Sequence, residues 1–227
     1  MITRRLALAA LVSGLAFAAV PGGAGAANEC NGVPRCIPVE GPWVAVPASG
    51  EADYVLSCPQ GKGIVAGTDG RASSTDIRAT FDGILGSPVA SGRTTNSAVL
   101  FRAVSAHHRA GLFKPFIGCI PTETAVRNTI ATELSPLGAP LDFRTMTVKI
   151  SPGLQRTVTL SCPAGESLVD SWNATAFGTA KPAPQLASAI QVQTKIVNGR
   201  ARLAITASEA LPAGIQAQVQ IGVRCAR

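Results

Sequence analysis

The sequence predicts an all-β protein of two tandem, duplicated antiparallel β-sandwich domains, each stapled by one disulfide. Three observations carry that prediction. Apolar residues recur with a period of two, as strands with one buried face require. The stretch Leu56-Ser57-Cys58-Pro59-Gln60-Gly61 returns as Leu160-Ser161-Cys162-Pro163-Ala164-Gly165. Six cysteines form an even set, which in an exported chain reads as three disulfides.

The beginning of the chain supplies the export signal. Met1 to Arg5 is short and basic, Leu6 to Val20 is apolar or small, and Ala24-Gly25-Ala26 is a small-residue cleavage site. These features predict a secretory signal peptide over 1–26, cleaved after Ala26. The apolar run is shorter than the roughly 20 residues a bilayer span needs, and no later run reaches that length, so no membrane span is expected. Arg4-Arg5 resembles a twin-arginine signal, but Ala7 stands where that signal carries a large apolar residue, which favours the general secretory route. Glu29 before Cys30 disfavours a lipoprotein anchor. The expected location is extracellular or periplasmic, and the alanine- and arginine-rich composition points to a bacterium.

The duplication sets the domain plan. A register of 104 residues lays Val44 and Val46 on Val148 and Ile150, Tyr54 and Leu56 on Val158 and Leu160, and Val99 and Phe101 on Leu203 and Ile205. A unit of that size is a domain rather than a short solenoid repeat. The plan is a first sandwich over 27–121, a linker over 122–142 and a second sandwich over 143–227. Glu123 to Leu134, within the linker, is the best helical candidate and a poor one, rich in Thr, Val, Asn and Ile.

The cysteines follow the duplication. Cys58 and Cys162 occupy equivalent places, and each is followed, after 61 and 63 residues, by a cysteine near an Ile-Gly pair. The expected bonds are Cys58 with Cys119 and Cys162 with Cys225, leaving Cys30 with Cys36 to close a short N-terminal loop. Zinc wants closely spaced cysteine pairs, which this chain lacks.

Strands are expected over Trp43–Val46, Ala52–Cys58, Gly63–Thr68, Ile77–Phe81, Ala98–Val104 and Phe113–Ile120. The second half contains the clearest hairpin. Asn198-Gly199 favours a type I′ turn and places Ile196 opposite Ala201, Thr194 opposite Leu203, Val192 opposite Ile205 and Ile190 opposite Ala207 on an apolar inner face. Gln191, Gln193, Lys195, Arg200 and Arg202 then face water.

With Trp172 ten residues after Cys162, the second half resembles the Cys, Trp, Cys pattern of immunoglobulin-like domains. It departs from that pattern at Thr68, where the first half should carry the tryptophan, and at Ile117 and Val223, where a corner tyrosine is missing. The resemblance implies a fold and no function.

Chemistry is sparse. His107 and His108 are the only histidines, adjacent in a connecting stretch where neighbouring side chains point apart; they are expected to be exposed, with a metal or partner contact as the alternative. Asp69, Asp76 and Asp82 share one segment without the spacing of a calcium loop, and read as turn residues. Ser57 and Ser161 alternate with buried neighbours and should face solvent. Trp43, Trp172 and Tyr54 could form a sugar-stacking platform, but their places in the strands favour core packing. Asn173-Ala174-Thr175 is a glycosylation triplet. Without Arg4 and Arg5 the chain keeps 18 basic against 13 acidic residues, scattered and with few aromatics, which disfavours nucleic-acid binding.

The expected function is a secreted, non-catalytic binding or structural protein of the envelope or extracellular space. Its partner would be an envelope component or another protein, and no cofactor is expected. The alternative is a module binding a carbohydrate or metal in the inter-domain cleft or at the His107-His108 loop. A secreted enzyme is the third class.

Overall fold

The alternating runs of the sequence become fifteen strands among the residues described by the computed structural model: 29–30, 35–59, 63–82, 88–90, 93–94, 97–121, 142–178, 181–212 and 214–226. The expected signal peptide, its cleavage point and the segment 122–141 lie outside them. In the first half the strands are β1 (Ile37–Glu40), β2 (Trp43–Val46), β3 (Glu51–Ser57), β4 (Gly63–Ala72), β5 (Ile77–Asp82), β6 (Pro88–Ala90), β7 (Arg93–Thr94), β8 (Ala98–Ser105) and β9 (Gly111–Pro121). In the second they are β10 (Asp142–Ile150), β11 (Gln155–Ser161), β12 (Ser167–Phe177), β13 (Ile190–Val197), β14 (Arg200–Ala207) and β15 (Ala217–Ala226). A 3-10 turn over Pro184–Ala189 precedes β13.

One sheet runs through both halves. Its order is β1-β9-β2-β12-β15-β10, with β4 also paired to β9. The join is short: Val44 lies opposite Ala176 and Trp43 opposite Phe177. Consecutive side chains of a strand point to opposite faces, so Trp43 enters one core and Val44 the other. Trp43, Leu112 and Phe177 pack with Val148, Val219, Ile221 and Leu203, beneath the outer sheet β11-β14-β13. Val44, Phe113, Ala174 and Ala176 pack with Tyr54, Leu56, Val99 and Phe101, beneath the outer sheet β3-β8-β5. Each core therefore borrows side chains from the other half. A two-stranded piece, β6-β7, stands apart.

The two halves share a strand order. β4-β9-β2 answers to β12-β15-β10, and β3-β8-β5 to β11-β14-β13. Pairing departs from a single 104-residue register. Tyr54 lies opposite Phe101 and Val158 opposite Leu203, so Phe101 corresponds to Leu203 rather than Ile205. Likewise Val44 faces Phe113 and Val148 faces Val219, which matches β15 to β9 in step with the two final cysteines. Insertions in the loops absorb the differences.

Disulfides tie each outer sheet to the shared one. Cys58, after β3, is joined to Cys119 of β9, and Cys162, after β11, to Cys225 of β15; Cys30 is joined to Cys36. Both long-range bonds close loops of about 60 residues, each stabilising by about 4 kcal/mol through lost chain entropy. A β-bulge follows the residue facing each second cysteine, between Val65 and Gly67 and between Leu168 and Asp170. The first bulge accommodates the N-terminal segment. A Cβ at Gly67 or Gly118 would meet the Glu29 carbonyl oxygen at 2.0 and 2.3 Å, so only glycine admits that backbone.

Trp172 departs from the immunoglobulin-like pattern. Lying opposite Gly222, on the face away from the core that holds Cys225, it packs on Val55 and Leu100 of the first half. A Cβ on Gly222 would approach its ring to 2.1 Å, so glycine makes the seat. The hairpin follows its turn chemistry: Asn198 and Gly199 take φ of 52° and 68°, and all four inner pairs form. Cover is incomplete, however, because β13 is an edge strand whose turn end overhangs the core, leaving Ile196 60% exposed.

A candidate ligand cleft between the two halves

Where the halves meet, the end of β2, the turn into β3, the middle of β12 and the Pro184–Ala189 turn enclose a cleft of about 510 Å³. Its floor is small and apolar, with Val46, Ala52 and Ala174 buried. Glu51, Gln185 and Ser188 supply polar groups at its walls. Asn173 and Thr175 complete the second-half wall. Such a site takes an apolar body of modest size and offers one carboxylate and a few hydrogen-bonding groups to its polar end. Glu51 also lies 3.5 Å from Arg102 Nε.

Of the side chains picked out in the sequence, Asn173 and Thr175 of the glycosylation triplet line the cleft and His107 is brought beside Asp76, while Asp69, Trp43 and Trp172 lie elsewhere. His107 and His108 sit in the exposed turn between β8 and β9. His107 Nε2 is 3.8 Å from Asp76 Oδ1, while His108, with φ of 54°, places Nδ1 3.5 Å from Ser49 Oγ. The two rings thus serve different neighbours, and no group of three metal-ligating side chains occurs among the described residues. Asp69 is not the turn residue expected: it lies within β4, opposite Phe116, and accepts from the Gly70 N–H at 2.7 Å. Asp76 lies in the turn before β5, and the Asp82 side chain is outside the description. Ser57 is exposed and Ser161 half-buried.

Trp43, Trp172 and Tyr54 are core, at 7%, 8% and 5% exposed. The ammonium groups of Lys114 and Lys181 each lie 5.5 Å from the Trp43 ring. Burial pushes the Lys114 ammonium below its usual range even though Glu40 contacts it. Asn173 of the glycosylation triplet lies within β12 and donates through Nδ2 to Thr194 Oγ1 at 3.1 Å, so its amide is already engaged.

Polar groups that the sequence did not mark tie β15 to β3 and β3 to β8. Gln220, buried in β15, accepts from the Val55 N–H at 2.7 Å and donates to the Val55 carbonyl at 2.8 Å. One side-chain amide thereby satisfies both backbone groups on the free edge of β3, as a neighbouring strand would. Gln218 Nε2 donates to Tyr54 Oη at 3.2 Å, and burial, partly offset by that bond, raises the Tyr54 phenol to about 12. Asp53, 4% exposed, accepts a bidentate pair from Arg102 at 2.9 and 2.7 Å, which holds the guanidinium further up than usual. An alternating Gln218-Val219-Gln220 reads as solvent-out, core-in; only the arrival of β3 shows that both faces are covered.

No family model matches the chain, and comparison with characterised proteins and with solved structures returns no match either.

Proposed function

We propose that the chain is an exported, non-catalytic binding protein of the bacterial envelope or extracellular space, a duplicated immunoglobulin-like sandwich that takes a small amphipathic ligand between its halves. The observation that carries this reading is the cleft itself, whose walls come from both halves and whose floor is apolar with Glu51 at one side.

Strand order supports the fold assignment. In each half the second, fifth and fourth main strands form one sheet and the third and sixth pair in the other, as B-E-D and C-F do in immunoglobulin-like domains. The first strand takes the place beside the sixth that strand G fills there. Three disulfides suit an oxidising compartment, and no helix among the described residues is long and apolar enough to cross a membrane. The two histidines stand in the exposed turn that also supplies Ala110 to the cleft, and neither ring is among the side chains that line it.

The test is calorimetry with small apolar amines and alcohols on the protein and on Ser188→Trp, a substitution at an exposed wall position that fills the cleft. Micromolar binding that Ser188→Trp abolishes, with an unchanged melting curve, is the expected result. No binding by any member, or binding indifferent to Ser188→Trp, would remove the cleft from the reading.

A further inference from the structure

The tip of the β13–β14 hairpin combines two features that core packing does not require. Along the inner side of β13, cover falls away from Ile190 at 5% exposed, through half-buried Val192 and Thr194, to Ile196 at 60%. Its neighbour Val197, on the outer side, is 45% exposed. Two adjacent branched aliphatic side chains therefore stand in water at the leading end of the hairpin.

Cations surround them. Lys195 lies directly opposite Arg202, and Arg200 lies opposite Val197, so all three belong to the last rungs before the turn and to one face of the sheet. β11, β13 and β14 contain no Asp or Glu. Among the described residues no carboxylate forms an ion pair with Lys195, Arg200 or Arg202. Like charges directly opposite on a sheet destabilise it, and an external anion relieves that cost. Shallow hollows of about 370 and 220 Å³ open between these side chains on the same face.

We propose that this hairpin tip docks the protein on an anionic lipid surface, with Ile196 and Val197 entering the headgroup boundary and Lys195, Arg200 and Arg202 engaging lipid phosphates. Paired apolar and cationic groups are what such a surface selects. A soluble polyanion would use the charges but gain nothing from exposed aliphatics. A nucleic acid or a sugar chain would want aromatic platforms, and neither β13 nor β14 carries one.

Co-sedimentation with vesicles tests the proposal, comparing phosphatidylcholine alone with phosphatidylcholine carrying a quarter phosphatidylglycerol. The protein is expected to pellet with the anionic vesicles only, and less so as salt is raised. Removing the three cations together, as Lys195→Ala with Arg200→Ala and Arg202→Ala, should weaken binding on the order of 100-fold, about 5-fold for each charge. Ile196→Ser with Val197→Ser should weaken it about 10-fold or more while leaving the melting curve in place, since both side chains are already exposed. The proposal is overturned by failure to pellet with anionic vesicles, or by pelleting that neither variant changes. Retention on heparin with no dependence on Ile196 and Val197 overturns it too, assigning the tip to a soluble polyanion.

Discussion

The outer sheets β3-β8-β5 and β11-β14-β13 have the same strand order and the same disulfide anchorage, yet they meet opposite surroundings. The first is covered along β3, where Trp172 packs on Val55 and Leu100, Gln220 closes the strand edge and Tyr54 bonds to Gln218, while Phe81 of β5 stays exposed. The second leaves its outer face to water, and its hairpin tip is apolar and cationic. A shared strand order therefore fixes where side chains point and not what they touch. What each half presents to partners is set by the residues at which the two differ.

The largest expected effect concerns the disulfides, which the comparison makes equal. Replacing Cys58 and Cys119 by alanine, or Cys162 and Cys225, should cost about 4 kcal/mol in either case, because the closed loops are nearly the same length. Denaturant titration should also show one transition for each protein, since the shared sheet couples the halves. Two separated transitions, or costs differing several-fold, would break the equivalence.

The next effect exists on one side only. The strand registers place Val158 where the first half has Tyr54. Tyr54 is the chain's single tyrosine, so phenolate absorbance reports it alone. Its folded value of about 12 stands above the ordinary 10. The neutral phenol is thus favoured by folding, and the contribution is fully present below pH 10 and lost as pH rises through about 12. The loss amounts to between about 2 and 3 kcal/mol. A titration midpoint near 10 in the folded protein would contradict the buried placement. Tyr54→Phe should remove this part of the alkaline destabilisation.

The smallest effect is the sharpest test of enclosure. Gln220→Ala leaves the Val55 N–H and carbonyl buried and unpaired, and should cost about 2 kcal/mol. Gln193→Ala, on the exposed face of β13, should change stability by less than about 0.5 kcal/mol. Equal costs in chemical unfolding would mean that the two sheets are not differently covered.

Local signals made much of this legible in the sequence. Asn198-Gly199 specified its turn and, through it, every pair of the hairpin, because a two-residue connection leaves no freedom of register. The alternating runs gave the all-β class, and the repeated Leu-Ser-Cys-Pro stretch marked cysteines that end equivalent strands. Features made by distant chain were not legible. Nothing local announces that Trp43 and Val44 will pair with Phe177 and Ala176, a contact of two residues across more than half the chain. The bulge after Leu168 shifts the alternation of β12, so counting from Cys162 misplaces Trp172 relative to the core. The cleft has no motif at all, since a site lined by small residues differs from ordinary surface only in what surrounds it.

The Gln220 amide has a consequence for the order in which the protein is made. Residues 51–57 leave the ribosome long before residue 220, so the edge of β3 is made before its closing partner exists. Bare edges recruit other strands, including those of neighbouring copies. The interval between the two syntheses is therefore when this chain is most exposed to misassembly, and its last strand ends that interval by occupying the edge with a side chain.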